Sequence, residues 1–229
     1  MRPLLCLVTD RRRLPVVPED EASRQDALID QVAAAARAGV DLVQVREPDL
    51  EAGALAALVS RAVAAAGPAT RIVVNERVDV ALAAGAHGVH LRAASMDAAR
   101  VRGITPPGFL IGRSVHGAAE ARRVAAAGGL DYVLLGTVFP SRSKPDGHPV
   151  VGTAVLAETV RAVDLPVLAI GGVTIETAAE VAQAGAAGLA AIGLFQPTGT
   201  NGKAWASDLG DIVQTLRILF DTTRSASLR

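Results

Sequence analysis

VLAIGGVTIETAAEVAQAGAAGLAAIGLF, from Val167 to Phe195, is the stretch whose reading decides the fold. A short apolar run meets a Gly pair, an alanine-rich segment of helical period follows, and a second apolar run closes at Gly193. Strand-length apolar runs on either side of an amphipathic segment are the pattern of a βαβ unit with buried parallel strands. Gly171 and Gly172 stand at the carboxyl end of the first run, Ile192 and Gly193 at that of the second. Glycine there lets the backbone come close to a ligand and leaves N–H groups accessible. In a barrel, the loops after the last two strands are where a phosphate is held.

Outward from this unit, the same alternation covers the chain. Apolar runs occur at Leu4–Thr9, Leu42–Arg46, Ile72–Asn75, Gly88–Leu91, Leu110–Ser114, Tyr132–Gly136, Val167–Gly171 and Leu189–Gly193. Helical patterns fall at Ala27–Ala38, Leu50–Ala66, Val78–Ala84, Met96–Arg102, Ala118–Ala127, Ala154–Val163, Glu176–Ala184 and Leu209–Phe220. AARAGVDLVQV, ALAAGAHGVHL, AAAGGLDYVLL and AQAGAAGLAAI share an Ala-rich helix end, a Gly stop and an entering strand, which marks repeated βα units. The pattern predicts an α/β fold, a (β/α)₈ TIM barrel in one domain over residues 1–221, rather than an open doubly wound sheet. Residues 222–229 read as a disordered tail. Three connections exceed a minimal turn: Asp10–Arg24, Thr137–Gly152 and Gln196–Asp208. The last two follow strands six and eight, where long loops act as lids or ligand clamps.

Composition narrows the function classes. Lys+Arg and Asp+Glu balance at 23 each, so no global field draws the chain to nucleic acid or a membrane surface. Aromatics are 3% of residues, too few for base-stacking platforms. Cys6 is alone in an apolar run, a buried inert thiol in a chain without a disulfide framework. No apolar run has membrane-spanning length, and the first run ends at Asp10, so a cytoplasmic location is expected. There is no GxxxxGK[ST], no GxGxxG and no zinc-spaced His/Cys cluster. The alanine-rich outer helices leave room for a homo-oligomer.

Polar residues at the carboxyl ends of the strands are the candidates for chemistry. Gln44 and Arg46 alternate in VQVRE and so point one way, toward the mouth. Arg46 either pairs with Glu47, Glu76 or Asp10, or waits for an anion. Asn75 and Glu76 end strand three, and Glu76 also suits a helix start. Ser114 and His116 follow strand five, where an imidazole can move a proton. His90, within a strand, reads as a packing residue, His87 as a turn residue at the far end, and His148 as the weakest candidate. Ser141, Ser143 and Lys144 in the SRSK loop bring hydroxyls and cations close enough to wrap a phosphate.

VQVRE, VNERVDVAL, GVHL, IGRSVH, YVLLGTVFPSRSKPDG and VLAIGGVT followed by AGAAGLAAIG together resemble the thiamin-phosphate synthase/TenI family over nearly the whole chain. The resemblance implies a (β/α)₈ barrel acting in thiamin biosynthesis on a small phosphorylated substrate. It implies that Gly171, Gly172, Ile192 and Gly193 hold a thiazole phosphate, and that Ser141, Ser143 and Lys144 match the synthase's phosphate loop. The synthase pattern has a Lys where this chain has Pro48, an Asp at Glu76 and a second magnesium-binding Asp at Ser95. Those departures favour a TenI-type thiazole tautomerase, a metal-free proton transfer with no cofactor, with His116, Glu76 or Thr137 at the chemistry. Thr137 stands where the tautomerase has a histidine. The alternatives are a synthase using Mg²⁺, and a non-catalytic binder of thiazole or thiamin phosphate.

Overall fold

Eight parallel strands close on themselves: β1 (Leu4–Val8), β2 (Leu42–Val45), β3 (Arg71–Asn75), β4 (Gly88–Leu91), β5 (Leu110–Val115), β6 (Tyr132–Gly136), β7 (Val167–Ile170) and β8 (Gly188–Ala191), with β8 pairing back onto β1. The computed structural model describes residues 2–141, 145, 147–196 and 202–227. The helices are α1 (Glu21–Ala38), α2 (Ala52–Ala66), α3 (Val78–Ala83), α4 (Ala98–Ile104), α5 (Ala118–Ala126), α6 (Gly152–Ala162), α7 (Ile175–Gln183) and α8 (Gly202–Ser227). The expected barrel is the observed one.

The strands are apolar throughout because both their faces are covered. Successive side chains alternate across a strand. In β6, Val133 and Leu135 join the layer between barrel and helices, while Tyr132 and Leu134 join the cluster that fills the barrel with Cys6, Val8, Leu42, Val73, Leu168 and Ala190. Burial pushes the Cys6 thiol up to about 12, so it is an inert filler. The Tyr132 ring fits because its neighbour is Gly112, where a Cβ would lie 2.1 Å from Tyr132 Cζ.

Three boundaries differ from the periodic reading by more than two residues. Helix α1 starts at Glu21 because the Asp20 carboxylate accepts from Ser23 N at 2.7 Å and caps it. Helix α8 starts at Gly202, inside the expected Gln196–Asp208 connection. Leu228 and Arg229 of the expected tail lie outside the described residues, and helix α8 runs on through Thr222 to Ser227. There Thr222 Oγ1 donates to Ile218 O at 2.8 Å and Thr223 Oγ1 to Leu219 O at 2.7 Å. Hydroxyls that bond back to the preceding turn are satisfied without leaving the helix. Among the described residues, no helix is long and apolar enough to cross a membrane.

Candidate functional site

The carboxyl ends of the eight strands bring most of the candidate residues to one mouth. Arg46 lies just past β2 and is exposed, and among the described residues no side-chain partner holds its guanidinium. Of the partners the sequence allows it, Glu47 is not taken, since neighbouring residues in an extended chain face opposite ways. Glu47 turns inward and meets Arg11 instead. Arg11 is 2% exposed, and its guanidinium reaches Glu47 at 2.9 Å, Asp49 at 2.5 Å and Glu21 at 2.7 Å. Its charge holds the Asp49 carboxyl down at about 2. Buried Thr9 donates to Glu47 Oε1 at 2.6 Å and accepts from Arg46 N at 2.9 Å. Arg11 is not among the candidates that pattern singles out; the signal that marks it is the triple-arginine run Arg11–Arg13 just past the first apolar run.

Beside this cluster, Gln44 Nε2 donates to Asn75 Oδ1 at 2.9 Å. Gln44 is buried, and its Oε1 meets no donor among the described residues. Ser114 is reached from within the barrel, with His90 Nε2 at 2.9 Å from its Oγ and His90 Nδ1 at 3.3 Å from the Tyr132 hydroxyl. Burial, with the Arg113 charge behind it, pushes the His90 imidazole down to about 3, so it is neutral and packs as the sequence reading expected. His87 also behaves as expected, its Nδ1 accepting from Ile72 N at the opposite end.

Glu76 is the one non-glycine residue in left-handed backbone among the described residues, at φ 67. Its Oε1 accepts from Arg92 N at 2.7 Å and from the Ser95 hydroxyl, and its Oε2 faces Arg92 Nε at 3.8 Å. The loop that supplies these donors is braced by buried Arg113, which donates to Ser95 O at 2.5 Å and Met96 O at 3.2 Å. A magnesium site resting on two carboxylates does not fit this rim. Ser95 stands in the second position as a donor to the first carboxylate, and a guanidinium occupies the remaining side. Among the described residues, no group of three or more His, Cys, Asp or Glu side chains could hold a metal.

His116 is drawn outward. Its side chain is 64% exposed, and both its N–H and its Nδ1 meet Glu120 Oε2, at 2.8 and 3.2 Å, at the start of α5. Among the described residues no hydrogen bond joins it to Thr137 or Glu76. Thr137 is buried after β6, its carbonyl accepting from Val151 N at 2.8 Å. The segment after it stays laddered to β7, Val138 N reaching Ile170 O at 2.9 Å and Phe139 N reaching Gly171 O at 3.0 Å. Half-buried Ser141 borders a cavity of about 100 Å³ with Thr137, Pro140 and His148. Ser143 and Lys144 lie outside the described residues.

The glycine turns behave differently from each other. Gly171 and Gly172 have φ 96 and 64, and a Cβ on either would strike the Thr137–Pro140 segment. They are needed for backbone shape and close loop packing. Gly193 opens a short 3-10 turn, Gly193–Phe195, and a Cβ there meets nothing within 4 Å among the described residues. That turn is anchored from α1 by Gln31, whose Nε2 donates to Phe195 O at 2.9 Å. Among the described residues, space for a Cβ is therefore filled at Gly171 and Gly172 and open at Gly193.

Comparison with known proteins completes the description. A family model described as thiamine monophosphate synthase matches residues 14–195. A thiamine-phosphate synthase of Roseiflexus castenholzii is 42% identical over 196 residues, covering 83% of this chain and 80% of that protein. One of Methanoculleus marisnigri is 44% identical over 181 residues, covering 78% and 85%. Among solved structures, a thiamine phosphate pyrophosphorylase from Pyrococcus furiosus superposes with a TM-score of 0.75 at 27% identity, covering 96% of each chain.

Proposed function

We propose, from the premise that this chain belongs to the thiamine monophosphate synthase family, that it is a thiamine-phosphate synthase. It joins hydroxymethylpyrimidine diphosphate to a thiazole phosphate: the C–O bond to the diphosphate breaks, the leaving group takes the electron pair, and the thiazole nitrogen bonds the resulting carbon. The observation that carries this is identity of 42 and 44% over more than three quarters of the chain with relatives that bear the synthase name. It displaces the tautomerase expected from the sequence. Those relatives lend the isomerase no support, and Thr137 offers a hydroxyl where that reaction needs a base.

The residues have separable roles in this reading. Exposed Arg46 meets the diphosphate, where a planar guanidinium can hold two oxygens at once. Gln44, Asn75 and Ser114, fixed from below, orient the pyrimidine. Ile192 and Gly193 offer backbone to the thiazole phosphate beside the open space after β8. Because the Glu76 rim does not fit a two-carboxylate magnesium site, no step is drawn through a metal. The test supplies both substrates to purified protein, with Mg²⁺ added and then chelated, and measures thiamin phosphate by mass spectrometry. Absence of product with Mg²⁺ supplied would sink the synthase. Isomerisation of the carboxythiazole phosphate in its place would reinstate the tautomerase.

A further inference from the structure

We propose that Thr9 is a positioning residue: sealed from solvent, it uses its single hydroxyl to fix the backbone from which Arg46 reaches the anion. Thr9 is 0% exposed, so it touches no substrate itself. Its Oγ1 accepts from Arg46 N at 2.9 Å and spends its own hydrogen on Glu47 Oε1 at 2.6 Å. A hydroxyl with one donor and one acceptor engaged has a fixed orientation. Thr9 N also donates to Gln44 O at 3.0 Å, so the same residue ties down both ends of the Gln44–Arg46 segment.

Glu47 is in turn immobile. Its carboxylate takes Arg11 N at 3.2 and 3.3 Å and the Arg11 guanidinium at 2.9 Å, and both side chains are 2% exposed. A buried charge pair of this kind is costly to disturb, and so holds its geometry. Arg11 is clamped further by Asp49 and Glu21. The order of support runs Arg11 to Glu47 to Thr9 to the Arg46 backbone. Every link of that chain is made within the protein, and at its end the Arg46 guanidinium has no partner among the described residues.

This inference rests on the synthase reading only in taking a diphosphate as the anion at Arg46, and its test uses inorganic pyrophosphate so that the two can fail separately. Titration calorimetry is run on wild type, Thr9→Val, Thr9→Ser, Arg46→Ala and the Thr9→Val/Arg46→Ala double variant, each checked by thermal melt. Thr9→Ala, which removes the same hydroxyl, replaces Thr9→Val if the latter does not fold. Thr9→Val should weaken pyrophosphate binding about tenfold, the scale of one lost oriented hydrogen bond, while Thr9→Ser binds as wild type. In the Arg46→Ala background, Thr9→Val should have no further effect. A merely structural threonine lowers the melting temperature without that non-additivity. Wild-type affinity in Thr9→Val, multiplying effects in the double variant, or a wild type that binds no pyrophosphate would each overturn the proposal. Failure to form thiamin phosphate with pyrophosphate binding intact would remove the synthase and leave Thr9 in place.

Discussion

Gly172→Ala should destabilise the protein and Gly193→Ala should not, although both glycines end strands of the same βαβ unit. Gly172 has φ 64, and a Cβ built on it lies 2.2 Å from Pro140 O and 2.6 Å from Phe139 O. Left-handed backbone costs a residue with a Cβ roughly 1–2 kcal/mol. The backbone oxygens of the β6–α6 segment cannot rotate aside as a side chain would, which adds an overpacking cost of about 1–3 kcal/mol. The sum, roughly 2–5 kcal/mol, is a large part of the ~5–15 kcal/mol that a folded domain has in hand. For a chain of this size each kcal/mol moves the melting temperature by about 2–4 °C, so Gly172→Ala should melt about 4–20 °C lower. At Gly193 the φ is outside the left-handed region and a Cβ meets nothing within 4 Å among the described residues. Alanine there should stay within about 0.5 kcal/mol of wild type. Calorimetric melts of the three proteins at one concentration and pH decide the matter. If Gly172→Ala melts within about 2 °C of wild type, or Gly193→Ala falls as far, the assignment of packed and open glycines is wrong.

Three other outcomes follow from the same geometry. Gly193→Asp should abolish thiazole phosphate binding by calorimetry while the melt stays near wild type, because a carboxylate would face the phosphoryl group across open space; unchanged affinity would move the phosphate away from strand eight. His116→Ala should leave thiamin phosphate formation near the wild-type rate, its surface pair with Glu120 contributing under about 1 kcal/mol; a fall of about a hundredfold, the ordinary scale of a missing acid or base, would return His116 to the chemistry. His90 gives a pH signature. Folded, it titrates near 3, whereas unfolded it titrates near 6.5. As pH falls below that unfolded value the unfolded chain takes a proton that the native chain refuses, so stability drops, by about 2 kcal/mol between roughly pH 6.5 and 4.5. Urea unfolding across that range should show the slope in wild type and a flatter one in His90→Gln, and equal slopes would refute it.

The barrel was legible because its information is local. Apolar runs at Gly88–Leu91 and Tyr132–Gly136 coincide with β4 and β6, and glycine stops mark helix ends without reference to any distant residue. Helix starts were less so, since the cap at Asp20 depends on one side-chain bond that periodicity does not register. The mouth was legible as a set of positions and illegible as a set of partners. Gln44 bonds Asn75 and Ser114 bonds His90, while His116 pairs with Glu120 and Glu76 accepts from Ser95.

The sequence alone determined the architecture, the residues that end each strand and the family, since period, turn residues and short motifs are properties of neighbouring residues. Tertiary structure decided which charges are spent and which are left over. Glu47 meets Arg11 from a loop far back in the chain and not the arginine beside it, and only then is Arg46 open to an anion. The physical reason is that ion pairs and hydrogen bonds are fixed by distance and direction in space, which strand alternation inverts between adjacent residues and barrel closure creates between remote ones.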